Sequence, residues 1–407
     1  MSAPVTSNFS GVSVNVPAHQ AGALPKHSPV VSYIPVRAGD SSNVWSASGV
    51  FLDFVLPKSL TTLSETMLRF ELNNTSSAQL APFTPFWVQQ IEVSIGSQQV
   101  EVLYPGDIYN ETIGFKSKDE LDATNEVLNA NTDYVTVDQS IPANTTSTYY
   151  LPFNNCLTAA RLYVNGVEED IVFRVYFPAN LLPSTVRLTS CTLVVTEDVG
   201  SNSEKQRNKY AHDKGIIYNT VVRQRQQSSF TKADAASNMT IDLTGINGNS
   251  AGMIVYAASS SLPGTSAVQD PFSASGTTVV ANTLLAKRFP LTTLELNDQM
   301  GKKKTEQLKG SAVLSFTWWN HVGTSFPART YGNTYLIPFA SHFRSSVVEG
   351  NNYGHIKTDG TDRLVLTAPW AYTARSSGTE TWVITITNYV YHQLVFQNGK
   401  LLNIIKK

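Results

Sequence analysis

Apolar residues return at every second position over long stretches of this chain. The clearest stretch runs from Trp87 to Phe115, where Ile91, Val93 and Ile95 alternate with polar residues, Gly96-Ser97 interrupts, and Val100, Val102 and Tyr104 resume the alternation. A period of two with a Gly-containing interruption predicts a β-hairpin. Pro105-Gly106-Asp107 then breaks the second strand, with Asp107 placed to cap a turn of helix.

Further strands are predicted at Val30–Val36, Val50–Val55, Met67–Leu72, Thr148–Phe153, Ala160–Val164, Ile171–Phe177 and Thr192–Glu197. The pattern restarts after residue 215, at Ile216–Arg223, Met239–Leu243, Met253–Ala258, Leu284–Phe289, Leu314–Trp318, Tyr335–Phe339, Arg363–Leu366, Trp382–Tyr391 and Leu394–Phe396. Helices are expected only at Ser117–Asn129, around Asp298–Lys309 and in the turn after Asp107. Between the two runs lies Gly200 to Lys214, the most polar and charged stretch, which reads as a boundary by composition. The predicted organisation is therefore an extended arm over 1–28, a first β domain over 29–199, a polar linker over 200–215 and a second β domain with a C-terminal tail over 216–407. The fold class is all-β: two tandem eight-stranded antiparallel jelly rolls with short helical insertions.

Composition narrows the function. Of the 407 residues 42% are apolar, enough for two substantial cores, while only 15% are charged. Faces that are polar without charge suit contact with further copies of the same chain. A formal net charge of -1 gives no electrostatic case for nucleic acid as a direct partner. Cys156 and Cys191 are too few for a disulfide framework or a cysteine zinc site, and are expected as free thiols. The N-terminal residues lack the pattern of a secretory signal, and no apolar run is long enough for a membrane helix. The Asn-X-Ser/Thr matches at Asn8, Asn73, Asn74, Asn110, Asn144 and Asn238 are then chance occurrences in an Asn- and Thr-rich chain.

Candidate chemistry dissolves on inspection. Gly248-Asn249-Ser250-Ala251-Gly252 matches a nucleophile elbow, but that motif needs a helix after it and MIVYAA reads as a strand. The glycines are expected in a hairpin turn that tolerates positive φ, with Ser250 dispensable. Gly301-Lys302-Lys303-Lys304-Thr305 lacks the strand, loop and helix order of a phosphate loop, and reads as the solvated start of a helix. The seven histidines show no metal-ligand spacing. Trp318-Trp319 and the series Trp382, Tyr389, Tyr391, Phe396 are not interleaved with cations, so sandwich core and subunit contact are favoured over stacking platforms. No catalytic, cofactor-binding or metal-binding residue is assigned.

Several segments, in order, resemble the double jelly-roll major capsid proteins of adenoviruses, tailless membrane-containing phages, virophages and large nucleocytoplasmic DNA viruses. They are IEVSIGSQQVEVLYPGDIYNETI (91–113), YYLPFNN (149–155), EDIVFRVYF (169–177), NMTIDLTGINGNSAGMIVYAA (238–258), LTTLELNDQMGKKKTEQL (291–308), YLIPFASHFRSSVVEGNNYGHIKTDGTDRLVL (335–366) and the closing NYVYHQLVFQNGKLLNIIKK. The chain departs from the family at Asn352-Tyr353-Gly354, where Pro-Ser-Gly is usual, and in its short loops.

The resemblance implies a non-enzymatic capsid subunit, made in the host cytoplasm and resident in the virion. Three copies would place six jelly rolls around a threefold axis and tile an icosahedral shell. Partners would be the chain itself, neighbouring capsomers, penton or minor capsid proteins and an internal membrane, without sequence-specific nucleic-acid binding. The aromatic closing strands are expected to supply the intratrimer interface. The arm and the Lys-ending tail are expected to stay free to tie capsomers together. Lys302, Lys303, Lys304, Lys406 and Lys407 are the candidate contacts to neighbours or to the interior. The alternative is a carbohydrate- or receptor-binding jelly-roll protein of the virion, which would need an exposed aromatic platform beside carboxylates. An enzyme on a β-sandwich would need a histidine cluster or facing carboxylates.

Overall fold

The alternating segments pair into two sandwiches in the computed structural model, which describes residues 5–9, 12–16, 28–35, 44–45, 49–81, 84–117, 119–120, 139–179, 181–231, 239–259, 288–289, 291, 293–309, 317–323, 334–367 and 381–407. The strands of the first half are β1 (Val5–Phe9), β2 (Val12–Val16), β3 (Ser28–Pro35), β4 (Phe51–Val55), β5 (Thr62–Asn74), β6 (Gln79–Ala81), β7 (Gln90–Ile95), β8 (Gln98–Leu103), β9 (Gln139–Ile141), β10 (Thr145–Pro152), β11 (Ile171–Tyr176) and β12 (Val186–Val199). Those of the second are β13 (Ile216–Thr231), β14 (Met239–Asp242), β15 (Gly248–Ser259), β16 (Arg288–Phe289), β17 (Thr293–Asn297), β18 (Leu308–Lys309), β19 (Thr334–Pro338), β20 (Ile356–Thr358), β21 (Arg363–Thr367), β22 (Thr381–Gln397) and β23 (Lys400–Lys406). The helices are α1 (Pro105–Gly114), α2 (Cys156–Ala159), α3 (Asn202–Lys214) and α4 (Phe343–Glu349), with a further helical turn at 317–322.

In the first half, an antiparallel sheet β10-β5-β12-β3 faces a second sheet β4-β11-β7-β8. Their inner faces meet through the apolar residues of alternating strands: Leu68, Phe70 and Leu72 against Ile91, Val93, Phe173 and Val175, all fully buried. The second half repeats the order strand for strand, with β13-β22-β15 continuing into β19 over β14-β21-β17-β18. Met253, Val255, Ile384 and Ile386 fill its core with Leu294, Leu296, Leu364 and Leu366. This is the two-roll all-β architecture read from the pattern.

The repetition extends to residues. Thr148-Tyr149-Tyr150-Leu151-Pro152-Phe153 and Thr334-Tyr335-Leu336-Ile337-Pro338-Phe339 occupy the same strand of each roll, and each leads into a short helix, α2 or α4. Pro152 ends the pairing with β5 opposite Met67, as Pro338 ends that with β15 opposite Gly252.

Several expectations need correction. The arm carries a β1–β2 hairpin where an extended arm was expected, and regular pairing of the first roll begins at Ser28. Ala160–Val164 is no strand: Asn155 caps α2, accepting from the Leu157 and Thr158 amides, and a tight turn at Val164–Gly166 follows. The polar stretch 200–215 is largely helical, because Ser201 and Glu204 form a reciprocal capping box at the start of α3. Asp107 lies inside α1, where Tyr104 is the N-cap and Pro105 starts the helix.

The predicted helix around Asp298–Lys309 is instead the β17–β18 hairpin, whose turn Asp298 fastens by accepting the Met300 and Lys302 amides. Gly301-Lys302-Lys303-Lys304 is therefore a turn and no helix start. Thr317 and Trp318, predicted as strand, are helical, while the rest of Leu314–Trp318 lies outside the described residues. Most of Ser117–Asn129 and Leu284–Phe289 also lies outside them. Trp382–Tyr391 and Leu394–Phe396 are one unbroken strand, β22.

The C-terminal tail is not free. β23 pairs with β22, and Leu401, 3% exposed, joins the first roll's core with Leu394 and Phe396.

Candidate functional site: the junction between the rolls

β13 is buried on both faces only over residues 220–223, but β22 is so from 384 to 392, which is why its sequence lacks clean alternation. One face closes the second roll's core. On the other, Val221, Tyr389, Tyr391, Ile254 and Tyr256 meet Phe86, Tyr109, Ile113 and Phe115 from around α1.

Charge is set into this apolar contact. Arg223 of β13 stands directly opposite Tyr389 of β22. Its guanidinium donates to Glu111 Oε1 at 2.6 Å and Oε2 at 2.7 Å, and to Glu101 Oε1 at 2.6 Å. The side chains of Arg223, Glu101 and Glu111 are only 2%, 0% and 3% exposed. Buried charges persist only when paired and hydrogen-bonded, and these are. Glu101 also accepts the Arg223 and Cys156 amides, and Glu111 accepts the Tyr389 hydroxyl and the Asn154 amide. Burial alone would lower the Arg223 pKa, but Glu111 and Glu101 outweigh it and hold the guanidinium charged. Asp107, from the first turn of α1, accepts the Thr387 hydroxyl, and burial raises its pKa against the pull of Arg225. Arg225 itself stacks 4.2 Å from the Tyr104 ring centroid. Thr220 completes the contact by donating to the Cys156 carbonyl at 2.6 Å.

Chemically this arrangement holds two elements together: each guanidinium nitrogen of Arg223 donates to a carboxylate oxygen, and both carboxylates face the one cation. Among the described residues no three metal-ligating side chains converge. Both thiols are buried and burial raises their pKa.

The structure scatters the sequence candidates. Ser250 is not in a turn but in β15 at a bulge opposite β22, fully buried, donating to Asn388 Oδ1 and accepting the Gly252 amide. Gly248 has φ +117°, whereas Gly252 has no positive φ and is required for space: a Cβ there would lie 2.8 Å from the Phe343 ring.

Lys303 pairs with Glu295 at 2.8 Å and Lys304 with buried Asp362 at 2.6 Å, so both are engaged within the chain. Lys302 is exposed. Lys406 and Lys407 reach Asn247 and Asn219 at 3.0 and 3.3 Å. Tyr389, Tyr391 and Phe396 are buried within the single chain, so the interface role expected of them falls away. Trp318 is buried and Trp319 is 62% exposed.

No protein-family model matches the sequence, and no curated protein matches it significantly. Solved structures do match in fold. A chain of the PBCV-1 virus capsid superposes with a TM-score of 0.63 at 12% identity, covering 93% of this chain and 98% of that one. The Faustovirus major capsid protein gives 0.62 at 7% identity, covering 92% and 91%. A chain of Sulfolobus Turreted Icosahedral Virus gives 0.51 at 12% identity, covering 89% and 90%. At such identities the likeness is one of fold, and it runs the length of both rolls: the chain has the double jelly-roll fold of viral capsid proteins.

Proposed function

We propose that the chain is a viral major capsid protein, a homotrimer whose six jelly rolls form a pseudo-hexagonal capsomer of an icosahedral shell. The observation that carries this is the dry, fully paired junction of Arg223 with Glu101 and Glu111, which fixes two rolls into one rigid tile. The matched capsid structures support it, since each is covered nearly end to end. Residues 29–199 and 216–407 are taken as the two domains, with α3 between them.

The mechanism is repeated shape. A tile offering different faces on its two rolls makes heterologous contacts that close a ring of three. Its partners are itself and neighbouring capsomers, then penton and minor capsid proteins and a membrane beneath the shell; nucleic acid is not read by sequence. The protein is made in the host cytoplasm and resides in the virion. Lys302, Lys406 and Lys407 are the cations most open to neighbours or to the interior, with Lys303 and Lys304 held mainly within the chain. Light scattering coupled to size exclusion tests the reading: a trimer at micromolar concentration is expected, and a monomer at all concentrations would refute it.

A further inference from the structure

In the first roll the helix after β8 is α1, and every residue from Gly106 to Gly114 is buried, because the outer face of β13-β22-β15 covers it. The matching helix of the second roll, after β18, is the turn at 317–322. It is buried on one side through Trp318 and Val322 but exposes Trp319 and Asn320 on the other, with Trp319 at 62%. Among the described residues nothing plays for this turn the part that the second roll plays for α1.

The face it lacks is present elsewhere in the chain. The shared Pro152 and Pro338 registers make Arg69 the counterpart of Ile254, and Thr192 the counterpart of Thr387, the residue that α1 engages through Asp107. Around Thr192 lie Met67, Arg69 and Tyr150, all partly exposed, with the Arg69 side chain 28% exposed. Sulfur, guanidinium and phenol groups are good partners for an indole ring.

We infer that Trp319 and its helical turn dock on the outer face of β5 and β12 of a second copy of this chain, in the place that α1 takes on β15 and β22 within one chain. The inference rests on the proposed trimer. In a closed ring of three copies the Trp319 turn of each meets the β5–β12 face of the next.

The test is the mass in solution of the full chain and of single variants, each checked for an unchanged circular dichroism spectrum and melting midpoint. Trp319 is exposed, so Trp319→Asp is expected to leave the fold intact while weakening trimer formation at least tenfold. Thr192→Arg, on the opposite face, is expected to do the same, and Trp319→Phe is expected to remain trimeric. If both charged variants fold and form trimers as readily as the parent, the docking is wrong and the capsid reading stands. If the parent chain itself never forms a trimer, both fall.

Discussion

Arg223 and Glu101 lie 122 positions apart, in different rolls, and meet at 2.6 Å out of reach of water. The pair makes the two rolls one unit. Removing the cation would strand two buried carboxylates, so Arg223→Ala is expected to cost about 3–5 kcal/mol in chemical denaturation. Arg223→Lys should recover only part of this, because one ammonium cannot match the fork that spans Glu111 and Glu101.

Ser250 and Gly252 are expected to behave as packing residues. Ser250→Ala leaves Asn388 Oδ1 and the Gly252 amide without their buried partner, at about 1–3 kcal/mol. Gly252→Ala forces a methyl against Phe343 and the Ile337 carbonyl, at about 1–3 kcal/mol. Thermal melts of both variants measure this, and neither is expected to alter any ester-hydrolysing activity above background.

Acid should loosen the molecule through two histidines. His212, the one buried residue of α3, sits among Tyr163, Tyr218 and Phe396. Its Nδ1 is 2.9 Å from the Asn208 carbonyl and so carries the proton, while Nε2 accepts from the Tyr218 hydroxyl at 3.3 Å. Burial lowers the pKa of both His212 and His392. The unfolded chain therefore takes up protons first as pH falls. Stability is full above the unfolded value of about 6.5 and drops below it, by up to about 1.4 kcal/mol per pH unit for each histidine, until the folded value is reached. Denaturation midpoints followed from pH 7.5 to 5 are expected to fall, and His212→Phe is expected to make the slope shallower.

Deleting 401–407 is expected to destabilise the monomer, contrary to the peripheral role its position at the end of the chain suggests. The deletion removes β23 and the buried Leu401, whose loss alone costs about 2 kcal/mol or more. Deleting residues 1–27 removes the β1–β2 hairpin, which among the described residues pairs only with itself, and is expected to leave the melting midpoint unchanged.

The strands with one wet face were legible: Ile91, Val93 and Ile95 announce β7 by period alone. The long central strands were legible only in part, with β22 read as two strands, Trp382–Tyr391 and Leu394–Phe396, because it is covered on both sides and its polar Thr387, Asn388 and His392 are buried at contacts that only the fold creates. Arg223, Glu101 and Glu111 are ordinary charges in sequence, and their convergence depends on strand register between rolls. A signal was present for the duplication: TYYLPF and TYLIPF, read against each other, align the two halves and so the two junction faces. Helix α3 was also signalled, by Ser201 and Glu204 three residues apart, beneath a composition that suggests a linker.

The central claim is that three of these rigid tiles close into one capsomer. Negative-stain electron microscopy of the purified full-length chain tests it most directly. Class averages are expected to show a six-lobed ring with threefold symmetry, each pair of lobes being one chain; a uniform field of two-lobed single particles at micromolar concentration would contradict it.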